Sequence, residues 1–377
     1  MTEFSQIGDT ATAILTVAPA ETLSGTFDAA VEVSDGRGGI DHENFTIEVL
    51  VQDSIGPGPE LPSYSVSGTV FKSTTHQPLS GAEVFIDDQQ TITDTLGHYS
   101  ISNVLGGEAH TLIVSKSGFE TYTAGFQMGF ADLDSFDIVL GKLLYFTDQI
   151  RGPDLEPNGI VWAEDITWAS CGFARKITIL DDSRGFEEVK YLDSPGSFPA
   201  KDIYTTPYGM TTTEEGGTQY LWISVALDDG SNFVYKMSIE ADTTLSTESR
   251  YDTPESTFDP DVTVILDDLT FSGTQIWSCS SDEGKIYKHG SNMSVAESYS
   301  LLGENPAGIA CDGNQLWVST HHSNKLYLLN AENFEQIGHY VLLEAPVVGL
   351  LYRDGHLWAC KHGSQSWPSF YYKYCIE

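Results

Sequence analysis

Carboxylate and amide side chains stand just ahead of a phrase that recurs in the C-terminal two-thirds of the chain. Oxygen ligands that converge from several repeats suit a hard cation, calcium or another divalent ion. No other cofactor is indicated. The sequence therefore predicts a metal site with these candidate ligands: Glu156, Asn158, Asp267, Asp268, Glu304 and Glu344.

A second set of polar residues follows the tryptophan in four copies of the phrase. It offers charged and imidazole groups that could bind a ligand: Asp228, Asp282, His321, His322, Lys361 and His362. The three histidines could instead form a general base or a transition-metal site, although histidines in polar loops usually do neither. Because no tight constellation of nucleophile, base and acid is present, no catalytic residue is predicted.

The recurring phrase places both sets of residues. Four copies carry a tryptophan nine positions after their first residue, and a fifth copy contains the insertion T-E-E-G-G. The copies run from Gly159 to Trp168, Gly209 to Trp222, Asp268 to Trp277, Gly308 to Trp317, and Gly349 to Trp358. Short strands that repeat at roughly 40–55 residues predict a β-propeller. We expect each tryptophan to lie buried between neighbouring blades.

Residues 142–377 accommodate five blades, each with four strands from inner A to outer D. The last blade lacks an outer strand, and the segment 143–150 (L-L-Y-F-T-D-Q-I) is predicted to supply it and close the ring. The D–A and B–C loops of a propeller emerge on one face around the channel mouth, here called the top face. Both candidate sets are therefore predicted on the top face.

This region loosely resembles NHL-type, lyase and gluconolactonase-like propellers, whose P-N-G loop is matched at Asn158. The resemblance implies a divalent metal held by Glu156, Asn158 and Asp267, and hydrolysis of a lactone or ester. The chain departs from the gluconolactonase-like pattern, because that group has six blades and its P-D-G reads L-D-D here.

Residues 1–52 read as three strands, with a loop S-D-G-R-G-G between the last two. The phrase V-E-V-S-D-G-R-G-G-I-D-H-E-N-F-T-I-E-V resembles the last two strands of bacterial cadherin-like or immunoglobulin-like repeats. Such a domain needs about 100 residues, so we expect a partial domain and a fragment of a longer chain. Residues 53–62 contain three prolines and two glycines and are predicted to form a linker.

Residues 63–141 carry S-G-T-V, P-L-S-G-A-E-V, T-D-T-L-G-H-Y-S-I-S-N-V and V-S-K-S-G-F-E-T-Y in that order. This order closely resembles the carboxypeptidase regulatory-like domain, which implies a small transthyretin-like β-sandwich and an accessory role. Alternation places Val84, Ile86, Tyr99 and Ile101 inside the sandwich. The whole chain is therefore predicted to be all-β: a partial domain, a sandwich and a five-bladed propeller closed by an N-terminal outer strand.

Charge and cysteine content limit the possible partners. The chain has 54 acidic and 18 basic residues, a formal net charge of −36, which makes nucleic acid and anionic membrane surfaces poor partners. No apolar run is long enough to span a bilayer. The five cysteines form no C-x-x-C pair, which argues against a disulfide framework or a zinc finger. Cys279 and Cys360 are expected to be small buried residues.

The leading functional hypothesis is an extracellular or cell-surface binding module, monomeric, whose propeller recognises a protein or glycan. The predicted domains support it, because cadherin-like and regulatory-like sandwiches act as spacers and adaptors outside the cell. The alternative is a metal-dependent hydrolase or lyase that works on the top face. A structural spacer without a ligand is the third reading.

Overall fold

A computed structural model describes residues 3–7, 10–14, 25–34, 40–49, 62–152, 157–163, 166–181, 187–195, 205–259, 262–290, 292–301, 303–342, 347–361 and 369–376. All regular structure in these ranges is β-strand, and they contain no helix that could cross a membrane. The chain divides into two compact units, Met1–Ser63 and Tyr64–Glu377.

The first unit contains two antiparallel hairpins. Their strands are β1 (Glu3–Ile7), β2 (Thr10–Ile14), β3 (Gly25–Ser34) and β4 (Ile40–Val49). Strands β2, β3 and β4 correspond to the three predicted strands, whereas β1 was not predicted because E-F-S-Q-I is too short to show a clear alternation. The predicted loop at residues 35–39 and the linker up to residue 61 lie outside the described ranges.

The second unit begins with a sandwich of two sheets. Its strands are β5 (Ser63–Lys72), β6 (Glu83–Ile86), β7 (Gln89–Ile92), β8 (His98–Leu105), β9 (Ala109–Ser115), β10 (Tyr122–Gln127) and β11 (Ile138–Leu140). One sheet has the order β10-β9-β6-β7 and is antiparallel; the other has the order β11-β5-β8, in which β11 runs parallel to β5. The two sheets bury one apolar core between them.

The pattern of alternation predicted this core correctly. Val84, Ile86, Tyr99 and Ile101 are at most 4 % exposed and belong to a single cluster. Gly97 adopts a φ of +73° at the predicted hairpin turn, a conformation that favours glycine. Local sequence signals therefore determine the sandwich.

One histidine of the sandwich is buried and has a partner at each ring nitrogen. His110 Nδ1 lies 2.6 Å from Asp87 Oδ2, and its Nε2 lies 2.8 Å from the carbonyl oxygen of Leu105. Burial disfavours the charged ring, but these two acceptors together raise the pKa of His110 above its usual value. The residue is a structural link between strands.

The rest of the second unit forms five small sheets among the described residues. The first three are antiparallel and follow the chain from inner to outer strand. The strands of sheet one are β14 (Pro157–Ala163), β15 (Ile166–Cys171), β16 (Lys176–Asp181) and β17 (Glu187–Asp193). Those of sheet two are β18 (Thr205–Glu215), β19 (Thr218–Leu227), β20 (Asn232–Ile239) and β21 (Leu245–Asp252). Those of sheet three are β22 (Asp268–Phe271), β23 (Ile276–Ser280), β24 (Lys285–His289) and β25 (Val295–Ser300).

The fourth and fifth sheets each include a strand from the start of the region. Sheet four contains β26 (Pro306–Cys311), β27 (Gln315–Thr320), β28 (Lys325–Asn330), β29 (Gln336–Leu342) and, parallel to β29, β12 (Lys142–Leu144). Sheet five contains β30 (Leu350–Arg353), β31 (His356–Lys361), β32 (Phe370–Cys375) and, antiparallel to β32, β13 (Phe146–Arg151).

The predicted sealing segment 143–150 is thus divided between two sheets. Leu144 is 5 % exposed and shares a core with Phe146 between the fourth and fifth sheets, whereas Tyr145 between them is 57 % exposed. Because apolar positions on both sides of Tyr145 enter that core, the chain crosses there from the edge of one sheet to the edge of the next.

The inner strands of consecutive sheets meet at the position of the repeated glycine. A Cβ atom on Gly209 would lie 2.1 Å from Asp268 Cα, so only glycine permits this approach. The amide of Gly349 donates to the carbonyl oxygen of Asn158 (3.1 Å), which brings the fifth sheet against the first. The described part of this region is therefore propeller-like.

The repeat tryptophans lie in the cores between sheets. Trp168, Trp222, Trp277 and Trp317 are at most 4 % exposed, and each packs against residues of the next sheet, as predicted. Trp358 is only partly buried and packs against the core that includes sheet one. The cysteine prediction is also confirmed, since Cys279 and Cys360 are free and fully buried.

The sandwich contacts sheet four directly. His339 Nε2 lies 3.1 Å from Glu120 Oε1, and the amide of Leu143 donates to the carbonyl oxygen of Gly118 (2.9 Å). The hydroxyl of Ser73 donates to the carbonyl oxygen of His339. These contacts cross the predicted domain boundary at residue 141, so the two regions form one compact unit.

Candidate functional site

A pocket of about 240 Å³ lies where the inner strands begin. All five sheets contribute a residue at or just before the inner strand, and two B–C loops add polar groups. Its lining residues are Asn158, Tyr208, Ile265, Asp267, Ser281, Asp282, Ala307, His321 and Val348. We call this cavity the top-face pocket. It brings together Asn158, Asp267, Asp282 and His321, four of the residues singled out from the sequence.

Asp267 is the most perturbed carboxyl group that lines the pocket. The residue precedes β22, and its backbone amide donates to the carbonyl oxygen of Cys279 (2.8 Å). Burial raises the pKa of Asp267 to about 7, and the charge of Asp282 adds to the rise. The amide of Ser281 donates to Asp267 Oδ2 (2.6 Å) and opposes it. Asp267 therefore exchanges a proton near neutral pH and can either donate or accept a hydrogen bond.

His321 approaches the pocket from the B–C loop of sheet four. Its amide donates to the carbonyl oxygen of Asn305 (2.8 Å), and its ring stacks on His322 with centroids 5.5 Å apart. Burial and the charge of His322 lower the pKa of His321, whereas Asp282 opposes that shift. His321 thus presents an uncharged imidazole at neutral pH, which can donate or accept a hydrogen bond.

Asn158 belongs to the wall of the pocket and also joins three sheets. It is 8 % exposed, and its Nδ2 donates to the carbonyl oxygen of Pro207 (2.8 Å) in sheet two. Its own carbonyl oxygen accepts from Gly349 in sheet five. The P-N-G loop therefore has a clear structural role.

Asp268 does not line the pocket but lies buried beneath it, with no exposed surface. Its Oδ1 accepts from the amide of Leu269 (2.9 Å), and its Oδ2 accepts from the amides of Ile309 (2.9 Å) and Leu350 (2.8 Å). Burial raises the pKa of Asp268 well above its usual value, and the three amides oppose that rise. These bonds tie the inner strands of sheets three, four and five together.

The other described candidates lie apart from the pocket. Glu304 Oε1 accepts from the hydroxyl of Tyr327 (2.7 Å), and exposed Asp228 pairs with Arg175 at 3.3 Å. The ammonium of Lys361 lies 5.8 Å from the ring centroid of Tyr372. His322 is exposed next to His321. Glu156, Glu344 and His362 lie outside the described residues.

The described residues contain no group of three or more His, Cys, Asp or Glu side chains that could hold a metal ion. Of the predicted oxygen ligands that the structure describes, only Asn158 and Asp267 line the same pocket. The cation site stays a prediction, because two of its proposed ligands, Glu156 and Glu344, lie outside the described residues.

Sequence reasoning did not select Tyr208 and Ser281, which also line the pocket. Tyr208 directly precedes the repeat glycine Gly209, the position that Asn158 takes before Gly159. Aligning the residue before each repeat glycine would have identified Tyr208. Ser281 carries no comparable signal, because its role is a backbone bond to Asp267 across a loop.

Comparison with known proteins gives one family match. Residues 65–141 match the model of the carboxypeptidase regulatory-like domain, which confirms the prediction for this segment. No curated protein matches the chain.

Similar solved structures include the following three proteins. Myxococcus xanthus glutaminyl cyclase has 10% identity, covers 61% of this chain and 95% of its own, and has a TM-score of 0.44. Streptogramin B lyase has 16% identity, coverages of 61% and 98%, and a TM-score of 0.34. A Bacteroides caccae protein of unknown function has 10% identity, coverages of 66% and 82%, and a TM-score of 0.38.

TM-scores this low support no inference about ligand or activity. The family match identifies residues 65–141 as a carboxypeptidase regulatory-like domain. The strand order of the sheets that follow is β-propeller-like.

Proposed function

We propose that this protein is an extracellular binding module that recognises a protein or glycan partner through the top-face pocket. The observation that supports the proposal is the convergence of Asn158, Asp267, Asp282 and His321, from three different sheets, on one pocket. A concave site with a few polar groups from separate elements is typical of ligand recognition.

The chemistry of the pocket indicates what part of the partner it accepts. Asp282 is an exposed carboxylate, while Asp267 and His321 can each donate or accept a hydrogen bond. The chain carries a net charge of −36, which repels anionic groups. The pocket therefore suits hydroxyl, amide or ammonium groups and disfavours phosphate or sulfate.

An array of immobilised neutral glycans and basic peptides tests the proposal. The wild-type chain should bind at least one member, and the double variant Asp282→Ala/His321→Ala should lose that binding while keeping the wild-type melting temperature. Val189→Ala, which removes a side chain 64 % exposed on the outer strand β17, serves as the control. No binding to any member, or binding that the double variant retains, would contradict the proposal.

The second candidate is the metal-dependent hydrolase or lyase. It is favoured by one observation, the presence of Asn158 and Asp267 in the same pocket. It requires turnover of a lactone or ester that a chelator abolishes and that Asn158→Ala removes. Turnover that survives both treatments would eliminate it.

A further inference from the structure

Two adjoining cavities lie on the face opposite the top-face pocket, where the inner strands of sheets one to three end and beside the C–D turn of sheet three. Their volumes are about 490 and 390 Å³, within the usual range for small-molecule sites. Thr213 and Phe271 line both cavities, so the two are continuous. We call them the lower groove, which is lined chiefly by Trp162, Thr213, Gln219, Tyr251, Phe271 and Gln275.

Three partly exposed aromatic rings follow the groove: Trp162, Phe271 and Tyr251. The guanidinium carbon of Arg353 lies 3.2 Å from the centroid of Trp162, so a cation covers one face of that indole. Tyr251 stacks on buried Trp222 with centroids 5.7 Å apart and an interplanar angle of 17°. Trp162 and Tyr251 therefore each pack against another side chain on one face. This contact restricts the two rings beforehand and lowers the entropy lost when a ligand packs on them.

Neutral hydrogen-bonding groups also line the groove. Gln219 lines the first cavity, and within the described residues its buried Oε1 has no hydrogen-bond partner. An unpaired buried acceptor destabilises the fold, and a hydroxyl of a ligand would satisfy it once the amide turns toward the ligand. Gln275 and Thr274 line the second cavity with further amide and hydroxyl groups.

The charges of the groove argue against an anionic ligand. Lys236 is paired with Glu215 at 2.7 Å, and Glu214 adds a further carboxylate to the lining. Burial lowers the pKa of His289 to about 4, so its ring carries no positive charge at neutral pH. The groove therefore presents no uncompensated cation among its described lining residues.

The position of the groove argues against an extended peptide. A peptide strand gains most of its affinity by pairing with an exposed sheet edge. The lower groove instead lies at the ends of strands, between neighbouring sheets, and offers side chains rather than a row of backbone groups.

We propose that the lower groove binds a neutral oligosaccharide, whose apolar ring faces pack on Trp162, Phe271 and Tyr251 and whose hydroxyls bond to Gln219 and Gln275. Aromatic rings favour the polarised C–H faces of a sugar, and amides satisfy its hydroxyls. This site shares no lining residue with the top-face pocket.

Calorimetric titration of the full chain with four neutral hexasaccharides, of glucose, N-acetylglucosamine, mannose and galactose, tests the inference. At least one should bind at millimolar concentration or tighter. Trp162→Ala should weaken that binding by about tenfold or more, and Gln219→Ala, which keeps the indole, by several-fold. Val189→Ala and His321→Ala should leave it unchanged.

Two results would overturn the inference. One is the absence of binding by all four hexasaccharides. The other is binding that Gln219→Ala and Trp162→Ala leave intact. If His321→Ala alone abolishes binding, the sugar occupies the top-face pocket, which refutes the lower groove but supports the proposed function. A well-folded Gln219→Ala variant keeps the test decisive even if Trp162→Ala unfolds.

Discussion

Asp268 shows how one residue organises this region. Four copies of the repeat begin with glycine, whereas the copy in sheet three begins with Asp268. Its carboxyl group accepts amide protons from Leu269, Ile309 and Leu350, the last of which is 82 positions away. At the position where the other repeats have glycine, the Asp268 side chain accepts three hydrogen bonds. These bonds join the inner strands of sheets three, four and five.

We expect Asp268→Gly, which restores the repeat residue, to lower the free energy of unfolding by at least about 2 kcal/mol. The amides of Ile309 and Leu350 would lose their acceptor in a buried place, and each unpaired group costs about 1–3 kcal/mol. Denaturant titration measures the change, with exposed Asp282→Asn as a control that should stay within about 0.5 kcal/mol. A glycine variant as stable as wild type would show that the carboxyl group does not stabilise the fold.

Replacing Trp317 with alanine should cost about 3–5 kcal/mol, because its indole is 3 % exposed between sheets four and five. The matched variant Trp358→Ala should cost clearly less, since Trp358 is only partly buried. Both values come from the same denaturant titration. A cost below about 1 kcal/mol for Trp317, or equal costs at the two positions, would contradict the packing described.

At this scale the sequence predicted part of the site. The repeat register placed these four residues on one face, because Asn158 and Asp267 directly precede a copy of the recurring phrase while Asp282 and His321 follow a repeat tryptophan. It could not show that Asp268 turns inward, since its partners are backbone amides supplied by distant strands.

Among the elements, β12 and β13 differ most from the prediction. A single sealing strand was expected at residues 143–150, because the last blade lacks an outer strand of its own. Packing decides otherwise: Leu144 and Phe146 enter the core between the fourth and fifth sheets, and the chain changes partner at Tyr145. A sequence of this kind carries no local signal for such a change.

Strand β13 is expected to seal sheet five, which can be tested in the full chain. Asp148 and Gln149 pair with Lys373 and Tyr372 of β32, and successive amides of a strand point to opposite sides. The double variant Asp148→Pro/Gln149→Pro therefore removes at least one bond to β32 and should lower the melting temperature by several degrees. The alanine pair, Asp148→Ala/Gln149→Ala, keeps both amides and should not. Equal melting temperatures for the two pairs would mean that closure does not depend on β13.

For the molecule as a whole, the net charge of −36 and the candidate carboxylates predict a response to cations. Calcium or zinc should raise the melting temperature more than sodium at equal ionic strength, since a specific site stabilises by mass action while screening depends on ionic strength alone. Glu156→Gln/Glu344→Gln should abolish the excess. If the divalent ions stabilise no more than sodium, the predicted cation site and the metal-dependent hydrolase are both eliminated.

The central claim is that the top-face pocket binds the partner, and neighbouring His321 and His322 provide its most direct test. His321 lines the pocket, whereas His322 stacks beside it and is exposed. The measurement is the affinity of each single alanine variant for the array ligand that wild type binds best. We predict a loss of about tenfold or more for His321→Ala and less than about threefold for His322→Ala. Equal losses, a reversed order or no loss in either variant would contradict the account.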